Sequence, residues 1–249
     1  AELPEDAVLQ MLKFYQCTRA TIMSVSYHLL IIDMAGLQAL ILLCSIGGIS
    51  ALCTGANMDA VVACYNPFMV AYGFPSATPL PSYFDGFHRS RQDMLQASGV
   101  SAQPAISRWG RTLSDCTAGL TCLDQATFAA SPLNATGTDD YSYYVDASIT
   151  RYQTSNRGFA LQMRHFYCMR YCGESQGDAL DACDAPVTNA TAGPDKCDIY
   201  RTAQKCYYDV YTTACGCGPE AGEFQCNSVS GEYTLDAVSN CALDSCVYN

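Results

Sequence analysis

The chain has 249 residues, of which 49% are apolar, and its formal net charge is −11. This length allows one large domain or two modest ones, and the apolar fraction supplies a sizeable core, which argues against a disordered protein. The excess of acidic groups argues against nucleic acid and anionic membrane surfaces as partners, because their phosphates would repel the chain.

The first segment is predicted to be helical and is almost free of charge. Pro4-Glu5-Asp6 is typical of a helix start, with proline early and acidic residues in the first turn. Residues 34–58 and 60–84 contain no Asp, Glu, Lys or Arg. We place a boundary after Phe84, which gives an apolar N-terminal helical segment (1–84) and a cysteine-rich, glycosylated domain (85–249).

The apolar stretch must be shielded from water by a membrane, by the chain's own core or by other copies. Met34 to Cys53 is long enough to cross about 30 Å of hydrocarbon. Gln38, Ser45, Ser50 and the neighbouring cysteines argue against a membrane span, and one central helix does not need so many apolar residues. We therefore predict self-association, because obligate interfaces resemble a domain core. The residues predicted to make it are Leu29, Ile32, Leu37, Leu40, Leu43 and Ile46.

Further elements are predicted in chain order. A short helix is expected from an Asn57 cap to a stop before Pro67. The alternation in YSYYVDASITRY indicates a strand over 141–149. Helical periodicity returns over 156–172 and over 195–214, and Gly216 and Gly218 are predicted to stop the second of these helices. A last short helix is expected from a Thr234 cap. The predicted fold class is mainly α, disulfide-rich, with a minor β element.

Sixteen cysteines are too many for a reducing compartment, and no CxxC pair indicates a zinc site. We expect all of them to form disulfides, several of which would join helices, since Cys168 and Cys172 share a helix face. The cysteines are Cys17, Cys44, Cys53, Cys64, Cys116, Cys122, Cys168, Cys172, Cys183, Cys197, Cys206, Cys215, Cys217, Cys226, Cys241 and Cys246.

One set of cysteine spacings resembles a known family. From Cys122 the gaps are 45 residues to Cys168, then 3, 24, 8 and 8 residues to Cys215. This order resembles the six-cysteine pattern of insect odorant-binding proteins, which are small helical carriers of apolar ligands. The resemblance covers spacing alone and implies, as an alternative function, an extracellular carrier with a helical cavity.

Two sequons, Asn134-Ala-Thr136 and Asn189-Ala-Thr191, lie among small and polar residues typical of exposed loops. N-linked glycans on Asn134 and Asn189 are therefore predicted. The chain begins at Ala1 instead of Met, which fits a secretory signal that has been removed. Together with the cysteines, these features predict a secreted, extracellular protein.

Motifs for catalysis are not found in the sequence. His28 is interpreted as a core or interface residue, and nothing pairs His165 with a nucleophile. We predict a protein that is not an enzyme, with no catalytic residues, no metal and no cofactor. Two acidic clusters do not follow the EF-hand spacing and are interpreted as solvated loops and not as calcium sites. They are Asp139, Asp140 and Asp146, and Asp178, Asp181 and Asp184.

The abundant tyrosines, 17 in all, favour an interaction surface, because tyrosine offers apolar area with a polar end. The predicted function is a structural subunit of an extracellular fibre or coat, with other copies of itself as partner. The alternatives are the apolar-ligand carrier and a membrane-anchored ectodomain.

Overall fold

The computed structural model describes residues 53–188 and 196–236, together with Leu243 and Cys246. The prediction of a mainly helical, disulfide-rich chain is confirmed over this part. The first predicted helix and the six predicted self-association residues lie outside it. The described α-helices are α1 (Ala56–Ala71), α2 (Arg89–Ser98), α3 (Gln103–Thr117), α4 (Gln125–Ala129), α5 (Asp139–Gln153), α6 (Asn156–Ser175), α7 (Gly177–Thr188), α8 (Lys196–Asp209) and α9 (Pro219–Asp236).

Three short turns of other helical types complete these elements. Tyr83–His88 and Val210–Ala214 are π-helical, and Gly99–Ala102 is a 3₁₀ turn. The second π-helical turn continues α8 directly, and the chain then turns away at Gly216 and Gly218, whose φ angles are 65° and 87°. Because side chains disfavour positive φ, these two glycines end the helix as the sequence predicts.

The described residues belong to one compact unit, which spans residues 52–249. Its interior contains two main groups of side chains. The aromatic core includes Phe68, Tyr72, Phe87 and Tyr143 and lies between α1, the first π-helical turn, α3 and α5. The cystine core comprises Leu161, Met169, Cys172, Cys183, Val210, Tyr211, Cys217, Ala221 and Phe224, from α6 to α9.

Six disulfides join the described cysteines, and Cys197 is also disulfide-bonded. Two of them connect residues on either side of Phe84, so residues 53–84 are covalently joined to the predicted second domain. Cys17, Cys44 and Cys241 lie outside the described residues. The pairs are Cys53–Cys122, Cys64–Cys116, Cys168–Cys217, Cys172–Cys215, Cys183–Cys206 and Cys226–Cys246.

This connectivity bears on the odorant-binding-protein spacing. Cys122, the first cysteine of that pattern, bonds Cys53, which lies outside the pattern. Cys206 likewise bonds Cys183, a cysteine that the pattern skips. The six cysteines of the pattern therefore do not form a closed set of disulfides, and the spacing does not describe how this chain is cross-linked.

The strand predicted over 141–149 is wrong, because these residues lie within α5. The buried residues of α5 are Tyr143, Asp146 and Thr150, at the helical spacing of three and four. Because Asp146 and Thr150 are polar, the buried face of the helix does not show as an apolar stripe. The alternating apolar residues of this segment therefore predicted a strand instead. The part of the chain that the structure describes contains no strand.

The predicted stop before Pro67 is also wrong, since α1 continues through this proline to Ala71. Phe68 and Met69, which follow it, are 5% and 0% exposed. Their burial in the aromatic core compensates for the backbone hydrogen bond that proline cannot donate. The predicted Thr234 cap is not a helix start either, because Thr234 lies near the end of α9.

Helix α9 was not predicted, because its sequence is rich in glycine and serine. Pro219 occupies its first position, where a missing N–H costs nothing. A Cβ added at Gly222 would lie 2.6 Å from Thr212 and 2.7 Å from Tyr208. Glycine here therefore permits close packing of α9 against α8 and its π-helical turn, a tertiary requirement that overrides the low helix propensity of glycine.

Candidate functional site

The candidate site is a buried ion pair at the edge of the aromatic core. Asp146 of α5 accepts hydrogen bonds from Nη2 of Arg91 (2.8 Å) and from Oη of Tyr83 (3.0 Å). Its second oxygen accepts a bond from Oγ1 of Thr150 at 3.3 Å. Asp146 is 7% exposed, so the carboxylate is almost fully removed from water.

Two consecutive elements, the first π-helical turn and α2, meet α5 at this carboxylate, which lies 55 residues after Arg91. The π-helical turn orients Tyr83 and Phe87, four residues apart, towards the aromatic core. Arg91 lies over the ring of Phe87, with its guanidinium carbon 5.1 Å from the ring centroid. The cation is therefore held both by a carboxylate and by the negative face of an aromatic ring.

The electrostatics of the site follow from burial and from this pairing. Burial acts to lower the pKa of Arg91, but Asp146 and the neighbouring tyrosines raise that pKa above its usual value. Burial, and then the charge of Asp146, raises the pKa of the Tyr83 hydroxyl. Burial and the nearby Arg91 cation lower the pKa of His88. Arg91 therefore stays charged, while Tyr83 stays a neutral hydrogen-bond donor.

This arrangement is suited to holding elements together and not to chemistry. Both oxygens of Asp146 already accept hydrogen bonds, so the carboxylate is not free to take a proton from a substrate. The ion pair positions α2 against α5. Separating the two helices would leave Arg91 or Asp146 as an unpaired buried charge, which is strongly destabilising. The site is best described as an internal structural centre.

A second feature is an open groove of about 540 Å³ between α3 and the start of α6. Arg111 donates from Nε and Nη2 to the carbonyl of Thr154, at 3.0 and 2.6 Å, and so caps the end of α5. The remaining lining residues mix apolar and polar groups: Pro104, Ser107, Arg108, Thr112, Asp115, Asn156 and Phe159. The residues that line this groove include no histidine and no cysteine.

The predicted glycosylation site at Asn134 lies on an exposed loop between α4 and α5. Its neighbours Leu133 and Ala135 are buried, and the φ angle of Asn134 is 49°, a region that asparagine tolerates better than most residues. Asn134 is therefore exposed on a well-anchored turn, where its Nδ2 donates to the carbonyl oxygen of Pro132 at 3.4 Å. Asn189, the second predicted site, lies outside the described residues.

The acidic clusters are helical and not loop-like. Asp146 forms the buried ion pair, and Asp184 of α7 accepts hydrogen bonds from Tyr207 (2.6 Å) and Tyr233 (3.0 Å). Among the described residues, no three His, Cys, Asp or Glu side chains are grouped so as to hold a metal ion. His165 lies on α6, with Nε2 3.1 Å from Oε2 of Glu220, and His28 is outside the described part.

No known family model, curated protein or solved structure matches this chain. None of the described helices is both long and apolar enough to span a bilayer.

Sequence reasoning missed the ion pair, because Arg91 and Asp146 are 55 residues apart and each resembles an ordinary surface charge. It also missed which tyrosines are on the surface. Tyr143 is buried, whereas Tyr167 and Tyr171 of α6 each expose 66% of their surface. The helical periodicity of the sequence could have indicated both features. It places Asp146 on the buried face of α5, and it places Tyr167 and Tyr171 on the exposed face of α6.

Proposed function

We propose that the protein is a secreted, N-glycosylated structural subunit of an extracellular assembly. It associates with other copies through its apolar N-terminal residues, and its helical, cystine-rich unit carries the glycans. No catalytic role is proposed. The observation that carries this proposal is the cross-linking of the helical unit: six disulfides join helices and turns whose interior is filled by packed rings.

The disulfides support the extracellular part of this proposal. Protein thiols are kept reduced in the cytosol, whereas disulfides persist outside the cell. The unit is therefore built to survive where no chaperone or reductant maintains it. A durable scaffold for an extracellular fibre or coat needs this property more than it needs a flexible cleft.

The packing of the interior favours a scaffold over a ligand carrier. Phe87 contacts four other rings, with centroid distances of 5.0 to 5.8 Å. The described groove is open and contains two arginines. An apolar ligand would gain little in such a groove, because enclosed, mostly apolar pockets are what bury small molecules well.

The sequence supports the self-association part. Residues 34–52 contain no formal charge, and leaving this apolar stretch in water would cost roughly 25 cal/mol per Å². Copies that bury it against one another recover that free energy. Head-to-tail contacts would give a fibre, and closed contacts would give a ring or another symmetric assembly.

The test is sedimentation velocity and negative-stain microscopy of the full chain, purified without detergent. We expect large particles with a repeat for the native protein. The double variant Leu40→Glu/Leu43→Glu should sediment as single molecules, because charges would enter the interface. Val70→Glu is the matched control, since Val70 is an apolar residue of α1 that is already 55% exposed.

Native protein that stays as single particles at high concentration would contradict the proposal. Release of an apolar small molecule on solvent extraction would favour the carrier. Dependence on detergent, with residues 34–53 protected by lipid, would favour the membrane-anchored ectodomain. Enzymatic removal of N-glycans should lower the mass of the native protein, and Asn134→Gln should remove one of the glycans.

A further inference from the structure

Two surface tyrosines of α6 differ from every other tyrosine that the structure describes. Tyr167 and Tyr171 are each 66% exposed, whereas the other described tyrosines are buried or half-buried. They are four residues apart, so they lie on the same face of the helix. Together they place two large aromatic rings in water, although tyrosine is a residue that protein interfaces favour.

Charged residues extend this face symmetrically. Arg164 lies three residues before Tyr167, and Glu174 lies three residues after Tyr171. The spacing of three, four and three keeps all four residues on one side of α6, and all four are exposed. Read from either end, the order is charge, tyrosine, tyrosine, charge, with the sign of the charge reversed.

We propose that this tyrosine face (Arg164, Tyr167, Tyr171 and Glu174) binds the same face of a second copy of the chain. In a two-fold contact both copies use the same patch, so a residue that contacts a second residue of the partner is itself matched by the reverse contact. With two α6 helices antiparallel, Arg164 of each copy faces Glu174 of the other, and Tyr167 faces Tyr171. The face is therefore complementary to itself in charge, and each of its tyrosine rings faces a tyrosine ring of the partner.

Two disulfides beside this face hold α6 in place. Cys168 and Cys172 bond Cys217 and Cys215, which fixes two successive turns of the helix to the segment after α8. The hydroxyl of Tyr167 lies against Gly99, where an added Cβ would be only 2.9 Å from the oxygen. A face held by a rigid backbone loses little entropy on binding.

The contact is too small to act alone. One helix face per copy is well below the roughly 800 Å² per partner of a stable interface. It is therefore a lateral contact that forms between copies already brought together, and it rests on the proposed self-association. Arg164 also pairs with Glu220, and Glu174 with Arg170, within one chain. In the proposed contact, the other copy would add a carboxylate to the Arg164–Glu220 pair and a guanidinium to the Arg170–Glu174 pair.

The tyrosines themselves allow the contact to be trapped in the full-length protein. A haem peroxidase with hydrogen peroxide removes one hydrogen from each of two phenols. The two rings then join by a carbon–carbon bond, and the peroxide is reduced to two waters. We expect a product of twice the chain mass after reduction of disulfides, with the new bond mapped to Tyr167 of one copy and Tyr171 of the other.

Charge exchange tests the antiparallel register. Arg164→Glu and Glu174→Arg should each lower the cross-linked yield about tenfold, because like charges then face each other across the contact. The double variant R164E/E174R should restore the yield to within about twofold of the native protein. Restoration cannot arise within one chain, since the new carboxylate at position 164 still faces Glu220 and the new cation at 174 still faces Arg170.

Arg151→Glu is the matched control, because it makes the same charge change at an exposed position of α5 and should leave the yield unchanged. A double variant as poor as the single variants would overturn the proposed contact, as would cross-links that map to other tyrosines. Sedimentation of the same samples separates the two proposals. Native particles that remain large without the mapped cross-link would refute only this contact, and native protein that is monomeric would refute the self-association.

Discussion

The aromatic core and the cystine core stabilise the same unit by different means. In the aromatic core, rings from α1, the first π-helical turn, α4 and α5 contact one another edge to face or stacked, and one buried ion pair lies at its edge. In the cystine core, apolar residues are fewer and smaller, and disulfides on adjacent helical turns join α6 to the chain after α8. The first depends on packing and the second on covalent bonds.

This difference shows how one chain can divide its stability between two mechanisms. Burying a large aromatic side chain contributes a few kcal/mol and requires exact neighbours in three dimensions. A disulfide contributes a similar amount by restricting the unfolded chain, and it requires the correct geometry of two residues only. The cystine core can therefore tolerate glycine, serine and exposed tyrosine in its helices, which leaves the α6 surface free to bind a partner.

The largest effect should come from removing the nested pair of disulfides in the cystine core. Cys172–Cys215 lies inside Cys168–Cys217, so either bond alone keeps nearly the same loop closed. Alanine at one pair should cost about 2 kcal/mol and alanine at both pairs about 6 kcal/mol. Denaturant unfolding of the single and combined variants measures this. Strictly additive losses would show that the two bonds do not share a loop constraint.

The aromatic core should be most sensitive at Phe87. This residue is 0% exposed, and truncation to alanine removes ring contacts and leaves a cavity. Phe87→Ala should lower the free energy of unfolding by about 4 kcal/mol. Phe84, in the same π-helical turn, is 58% exposed, so Phe84→Ala is the matched control with a loss below about 0.5 kcal/mol. Equal losses for the two variants would mean that Phe87 is not packed as described.

The next largest loss of stability should come from breaking the ion pair between Arg91 and Asp146. Arg91→Met keeps the side-chain length but leaves Asp146 as an unpaired buried carboxylate, so the expected loss is about 3 kcal/mol. Arg89→Met removes an exposed partner of Asp85, 3.8 Å away, and should change stability by less than about 0.5 kcal/mol. Chemical denaturation at neutral pH compares the two variants, and a harmless Arg91→Met would show that the pair does not hold α2 to α5.

Which of these features the sequence could reveal depends on how local their causes are. The helical face shared by Cys168 and Cys172 and the glycine stop after Ala214 were predicted correctly, because each depends on a few neighbouring residues. The α5 helix was predicted as a strand, because its buried face carries Asp146 and Thr150, whose partners are far away in sequence. Helix α9 was missed because glycine disfavours helices locally. The close packing that Gly222 permits against α8 and its π-helical turn is a tertiary effect that the local sequence does not show.

The same limit applies to the candidate sites. The sequence indicated that Asn134 lies on an exposed loop, since sequons among small polar residues are a local pattern. It could not indicate that Arg91 reaches Asp146, because the two residues are 55 positions apart and no local pattern links them. The outward position of Tyr167 and Tyr171 was open to prediction, because both lie off the helix face that Cys168 and Cys172 share.

The smallest expected effect concerns the surface between α6 and α9, where the cystine core depends on charge as well as on covalent bonds. Hydrogen bonds from His165 and Arg164 lower the pKa of Glu220 from 4.5 to about 2. A carboxylate whose pKa is lowered by folding stabilises the folded state above its unfolded pKa, and it loses that contribution as the pH falls. This part of the stability should therefore disappear between pH 4.5 and about pH 2.

Thermal unfolding across this pH range measures the effect. Glu220→Gln should unfold at a lower temperature than the native protein near neutral pH, and the two curves should converge towards pH 2. Asp93→Asn changes an exposed carboxylate of α2 by the same chemistry and should follow the native curve throughout. A constant offset between Glu220→Gln and the native protein would show that Glu220 acts through packing and not through its charge. In that case the cystine core would owe its stability to disulfides and apolar contacts alone.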